Sequence, residues 1–186
     1  MRIVAGRHRG RSLRTPDDLA VRPTADRTRE ALFNILVSGR LSDENRLPGA
    51  RVLDAFAGTG ALGLEALSRG AAHAVFMENY APAIEICRAN IKNLGEGERA
   101  ELIACDVLHP RPAPQPCDLV FLDPPYNQGL AEKALASLVK SGWIAPGTLV
   151  SLEMMKNEAF ALPEGFEELD ARTYGKARLV FLKYAG

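Results

Sequence analysis

Val52-Leu53-Asp54-Ala55-Phe56-Ala57-Gly58-Thr59-Gly60-Ala61-Leu62-Gly63 reads as a short apolar strand, a glycine turn and the first turn of a helix. Glycines let backbone approach a bound molecule closely, and a helix start presents N–H groups that have no partner within the helix. Gly58, Gly60 and Gly63 satisfy the G-x-G-x-x-G spacing of dinucleotide-binding turns. That spacing alone names no ligand, and a tight strand-to-helix turn needs none. Asp54 is more selective. At the strand end, before the glycines, its carboxylate repels a pyrophosphate and attracts an ammonium or sulfonium group.

Outward from this turn the same unit repeats. Arg51–Phe56 precedes a helix over Ala61–Ser68, Ala74–Met77 precedes one over Ala81–Leu94, and Leu119–Leu122 precedes one over Leu130–Ser141; Ala100–Ala104 and Thr148–Leu152 are further strands. Short apolar strands alternating with amphipathic helices predict an α/β fold, a mostly parallel sheet covered on both faces. Phe166–Tyr174 and Ala177–Tyr184 read as two more strands joined at Gly175, which brings the sheet to seven and adds antiparallel pairing at one edge.

Upstream the pattern differs. Arg2-Ile3-Val4-Ala5, a turn over Gly6–Gly10 and Arg11-Ser12-Leu13-Arg14 predict a β-ribbon. A helix follows, with Thr24 as N-cap and apolar spacing through Ala31, Leu32, Ile35 and Leu36, ending before Gly39. Residues 39–50 read as a linker. The predicted division is therefore a basic ribbon-and-helix extension over residues 1–38 and an α/β domain over 39–186. Residues 1–29 hold eight Arg against three Asp, +5, while the whole chain is neutral, so the remainder carries −5. A basic arm on an acidic body points to a polyanionic partner such as nucleic acid, met by Arg7, Arg9, Arg11 and Arg14.

Composition excludes other classes. A chain of 186 residues, 47% hydrophobic and 25% charged, is one ordinary globular domain with a short appendage. Cys87, Cys105 and Cys117 are odd in number and lack CxxC spacing, which speaks against a disulfide framework or a zinc ribbon and for a reducing cytoplasm. The sequence offers neither a signal-like apolar stretch at its start nor eighteen uncharged apolar residues in a row, so no membrane association is expected. Nothing in the apolar pattern demands a dimer, and a monomer is expected.

Three further acids follow strands. Glu78 ends the second, where a carboxylate can accept hydrogen bonds from ribose hydroxyls. Asp106 follows the third, placed to accept from an adenine amine. The segment Asp118-Leu119-Val120-Phe121-Leu122-Asp123-Pro124-Pro125-Tyr126 carries most of the chemistry. Two prolines after a buried strand fix the backbone and its carbonyls at the carboxyl ends of the strands. Asp123 and the Pro124 carbonyl then form a pair of acceptors for an exocyclic amine, and Tyr126 offers a ring on which a base can stack. An aromatic amine attacks a methyl carbon only when its N–H groups are held while the nitrogen pyramidalises, and two acceptors provide that hold.

These motifs resemble those of the amino-directed class I methyltransferases that use S-adenosylmethionine: Asp54 to Gly60 is similar to their cofactor loop and Asp123-Pro124-Pro125-Tyr126 to their target-amine motif. Arg2 to Arg11, Arg22-Pro23-Thr24-Ala25-Asp26-Arg27-Thr28-Arg29-Glu30-Ala31-Leu32-Phe33-Asn34 and Ala61 to Gly70 narrow the resemblance to the bacterial RsmD family. It covers essentially the whole chain and implies a Rossmann-like class I methyltransferase fold. The implied activity is methylation of the exocyclic N2 of one guanine in 16S ribosomal RNA, with small-subunit RNA or a 30S precursor particle as partner. Carried over, the resemblance implies Asp54 near the methionine ammonium, and Phe56 and the Gly58 and Gly60 backbone along the cofactor. Glu78 would hold the ribose, Asp106 the adenine amine with Val107 beside its ring, and Thr24 and Arg27 the carboxylate end. Asp123, Pro124 and Tyr126 would hold the guanine. No metal is implied.

Rival readings remain at this point. The Asp-Pro-Pro-Tyr motif serves adenine N6 as well as guanine N2; against a DNA-directed enzyme, the 60 residues after Tyr126 are taken up by the remaining helix and strands. A noncatalytic RNA-binding assembly factor and a dinucleotide oxidoreductase are the other two.

Overall fold

The computed structural model describes residues 1–16, 23–38, 41 and 46–186, with residues 23–26 described by their backbone alone. Strands β1 (Arg51–Ala55), β2 (His73–Glu78), β3 (Ala100–Ala104), β4 (Leu119–Leu122), β5 (Leu149–Met155), β6 (Phe166–Tyr174) and β7 (Ala177–Tyr184) form one seven-stranded sheet in the order β3-β2-β1-β4-β5-β7-β6. β1 to β5 are parallel; β7 runs antiparallel to both β5 and β6. Among the described residues the helices are α1 (Pro23–Val37), α2 (Ala61–Ser68), α3 (Ala81–Leu94) and α4 (Leu130–Lys140). The chain leaves β1 toward β2 on one side and returns to β4 on the other. Loops after these strands diverge there and leave a crevice at the strands' carboxyl ends.

β4 shows how the apolar runs set this up. All four of its residues are buried: Leu119 and Phe121 join one core with Phe33, Leu64 and Phe76, while Val120 and Leu122 join the other with Leu135, Trp143 and Val150. A strand buried on both faces cannot alternate with polar residues, hence its continuous apolar sequence.

The expected elements are present, with three informative differences. β1 stops at Ala55 because Phe56 takes a positive φ of 62°, which no strand accommodates. α1 begins at Pro23, so Thr24 is its second residue and not its N-cap; proline suits the first helical position, having no N–H to leave unpaired. β5 continues past Leu152 to Met155, because β7 pairs with it along its whole length, Met155 opposite Ala177.

The N-terminal residues form a short hairpin, with Arg2 bridged to Ser12, the Ile3 N–H donating to Arg11 O at 2.9 Å and the Leu13 N–H to Met1 O at 3.0 Å. Its apolar side chains Ile3 and Leu13 share a core with α1 and α2. On α2 the fully buried Glu65 accepts the Val4 and Ala5 N–H groups at 2.8 and 3.0 Å and Arg69 Nε at 2.7 Å. Gly6, at φ 82°, passes so close to α2 that a Cβ would lie 1.9 Å from Ser68 O. On α3 the buried Asn90 accepts the Arg14 N–H at 2.7 Å and donates to Arg14 O and Thr59 O, tying the end of the hairpin to the glycine turn. No helix among the described residues is long and apolar enough to cross a membrane.

Candidate functional site

The carboxyl ends of β1 to β4 enclose a cleft of about 860 Å³. Phe56 just after β1, Glu78 and Tyr80 at and after the end of β2, Asp106 and Leu108 after β3, and Asp123 to Tyr126 after β4 line it. Its ionisable lining, among the described residues, consists of three carboxyls and the phenols of Tyr80 and Tyr126, without Lys, Arg or His. Such a cleft disfavours a pyrophosphate and suits a nucleoside bearing positive charge.

The glycine turn is built by backbone. Gly60, in the left-handed region at φ 79°, precedes α2, and its N–H donates to Ala57 O at 2.7 Å. Asp54 is buried beneath the turn, 1% exposed, its Oδ2 accepting the Gly63 N–H at 2.8 Å. Burial pushes its carboxyl up to about 7, opposed by the Gly63 hydrogen bond and reinforced by the Glu78 charge. Glu78 organises the next loop: Oε2 accepts the Gly58 N–H at 2.8 Å, and Oε1 accepts the Asn79 and Tyr80 N–H groups at 2.9 Å. Two carboxylate oxygens offer about four acceptor positions, so one remains for a ligand hydroxyl. Asp106 Oδ1 accepts the Leu108 N–H at 2.9 Å and holds its own loop, with Val107 buried beside it.

Asp123 is exposed to the cleft, yet its carboxyl is pushed well above the usual range, first by lost hydration and then by the Glu153 and Asp54 carboxylates. Tyr126 is 37% exposed, and its hydroxyl donates to Glu153 Oε1 at 2.6 Å. The Asn127 N–H, at a φ of 59°, donates to Glu158 Oε1 at 2.9 Å.

Six sequence-predicted residues therefore meet in one cleft: Phe56, Glu78, Asp106, Asp123, Pro124 and Tyr126. Asp54, Gly58, Gly60 and Val107 lie around it without lining it. Thr24's side chain lies outside the described residues; Arg27 is exposed on α1 and is not part of the lining. Arg7, Arg9, Arg11 and Arg14 are exposed on the hairpin, Arg11 donating to Asn93 O at 2.5 Å. Sequence reasoning missed Glu153, Glu158 and Tyr80. A lone acid inside the apolar run Leu149–Met155 was the available signal for Glu153. Among the described residues no group of three or more His, Cys, Asp or Glu is placed to hold a metal ion.

The family model described as conserved hypothetical protein 95 matches residues 1–183. Ribosomal RNA small subunit methyltransferase D of Haemophilus influenzae is 37% identical over 180 residues, 94% of this chain and 89% of that protein. The protein of the same name from Escherichia coli is 38% identical over 153 residues, 82% and 74% of the two chains. The solved structure of yhhF from Escherichia coli, 32% identical, aligns with a TM-score of 0.83 over 100% of this chain and 98% of that one. The fold is thus that of the Rossmann-like class I methyltransferases, and the chain belongs to the conserved hypothetical protein 95 family, the RsmD family that its motifs resemble.

Proposed function

We propose that this chain transfers a methyl group from S-adenosylmethionine to the exocyclic N2 amine of a guanine in small-subunit ribosomal RNA, within an assembling 30S particle in the cytoplasm. The observation that carries the reading is the juxtaposition of Asp123-Pro124-Pro125-Tyr126 with Glu78 and Asp106 in one cleft whose lining, among the described residues, holds no Lys, Arg or His. Two relatives that span most of the chain carry the name ribosomal RNA small subunit methyltransferase D.

The residues fit the cosubstrate. Asp54, a buried carboxyl hydrogen-bonded to one backbone N–H, suits its ammonium; Glu78 suits the ribose and Asp106 the adenine amine. Phe56, Val107 and the Gly58 and Gly60 backbone flank the same place. When bound, the cosubstrate supplies an electrophilic methyl on a sulfonium. Asp123 and the Pro124 carbonyl accept the two N–H groups of the target amine and bring its lone pair out of conjugation. Tyr126 stacks on the base. A carboxyl pushed upward is better matched to take the amine proton once the new bond forms, so Asp123 is also the group to receive it. Positioning and electrostatics supply most of the rate.

Residues 1–38 act in this proposal as the RNA-binding extension, and the arginines of the hairpin track phosphates. Replacing Arg7, Arg9 and Arg14 together with Gln is expected to reduce the slope of log affinity against log salt by about 2 to 3. Filter binding of small-subunit RNA across a salt series checks this, and an unchanged slope would place the contacts elsewhere.

The activity test is incubation with methyl-labelled S-adenosylmethionine and 30S subunits lacking the endogenous modification, followed by digestion to nucleosides. Label in N2-methylguanosine is the expected result. Label in N6-methyladenosine would keep the cofactor and overturn the target, and no label would favour the assembly-factor reading.

A further inference from the structure

We infer that Glu153 is a positioning residue that sets the ring of Tyr126 from the neighbouring strand, an inference that rests on the proposed role of Tyr126 in holding the target base. β4 and β5 pair in register up to Leu122 and Leu152. Asp123 and Glu153 are the next residues on the two strands, and the carboxylate of Glu153 acts on Asp123. From there the chains part. β4 turns into Pro124 and Pro125, while β5 continues to Met155 with Glu153 opposite Leu179 of β7. The acid thus stands on a strand paired on its far side beyond the point where β4 ends.

Onto this support the Tyr126 hydroxyl donates a 2.6 Å hydrogen bond. A phenol bound to a carboxylate makes a short, charge-assisted bond, stronger than one to a neutral acceptor. Glu153 itself is half-buried and does not line the cleft; beside its charge on Asp123, it acts through the ring. The loop is held a second time one residue on, where Glu158 accepts the Asn127 N–H. Ring and backbone are therefore fixed by two different acids, both belonging to β5 or the turn after it. A ring held at its far end presents one face at a fixed angle. In near-attack terms, the orientation of the stacked base is what the anchor controls.

The test compares Glu153→Ala, Glu153→Gln, Tyr126→Phe and the Glu153→Ala/Tyr126→Phe double variant. Glu153→Ala and Tyr126→Phe are each expected to lower kcat about tenfold and leave the affinity for S-adenosylmethionine unchanged within about twofold. The double variant should be no worse than Glu153→Ala, because that variant already lacks the bond that Tyr126→Phe removes. Glu153→Gln keeps an acceptor for the hydroxyl and should retain kcat within about threefold. Losses that multiply in the double variant, or a Gln variant as impaired as the Ala variant, would overturn the inference. A second readout needs no turnover. In protein labelled with 3-fluorotyrosine, the Tyr126 fluorine resonance, assigned by its absence in Tyr126→Phe, should move in Glu153→Ala. An unmoved resonance overturns the inference even if activity falls. Should the wild type methylate no nucleic acid, the proposed function fails, and the fluorine shift still decides whether Glu153 holds the ring.

Discussion

Replacing Asp123 with alanine is expected to slow methyl transfer about a thousandfold, the loss typical of removing a group that acts in the transition state. Two of its properties lead there. It is the side-chain member of the proposed acceptor pair for the target amine, and its carboxyl is raised by lost hydration and by Glu153 and Asp54, which brings it nearer the pH at which it must take a proton. Asn keeps one acceptor oxygen but cannot take the proton, and it turns a donor toward an amine that is itself a donor; Asp123→Asn should therefore lose about a hundredfold. The wild-type rate should rise with pH as the carboxyl ionises, and that limb should be absent in the Asn variant. Single-turnover rates on 30S subunits, with S-adenosylhomocysteine affinity measured beside them, check all three statements. A variant that keeps wild-type rates would remove Asp123 from the chemistry. One that loses cosubstrate affinity in parallel would make it a binding residue instead.

Why Asp123 was legible from sequence while its neighbour Glu153 was not follows from how each is placed. Backbone chemistry announces Asp123: a continuous apolar strand and then two prolines mark the point where a parallel strand leaves the sheet. The same logic gave β3, β4, α2 and α3 their bounds and put Glu78 and Asp106 at strand ends. Glu153 has no such marker. It lies inside a strand whose end is decided by pairing with β7, 22 or more residues further along, and local periodicity carries no information about that. Glu65 was equally silent. It looks like the polar face of a helix, but it is fully buried because two backbone N–H groups of the hairpin, sixty residues upstream, converge on it. Thr24 erred for a local reason: a good N-cap residue lost to a proline that is better suited to begin the helix one position earlier.

Asp54→Asn should make the protein more stable and its cosubstrate binding worse. In the folded chain burial lifts the Asp54 carboxyl to about 7, against the ordinary value of 3.8 that it regains on unfolding. Between those values the folded state holds a proton that the unfolded state has lost. The contribution to stability is therefore complete below about pH 4, falls as pH rises toward 7, and is flat beyond. A shift of this size corresponds to at most about 4 kcal/mol. The asparagine side chain cannot ionise, and its amide oxygen can still accept the Gly63 N–H. The variant's Tm should thus exceed the wild type's by about 5 °C or more at pH 8 and by little at pH 4, at roughly 2–4 °C per kcal/mol for a chain of this size. Function should move the other way. An ammonium placed beside Asp54 draws the carboxyl back to its ionised form, and in exchange gains a charged partner that Asn cannot supply; binding should weaken at least about tenfold. Proton release on binding near pH 7, measured by calorimetry in buffers of different ionisation enthalpy, should disappear in the variant. Thermal melts from pH 4 to 8 settle the first half: an Asn variant with the wild-type pH dependence would mean that the buried charge at Asp54 is not what lowers stability. Retained affinity for S-adenosylmethionine would settle the second, since the buried acid beneath the glycine turn would then have no part in holding the ammonium.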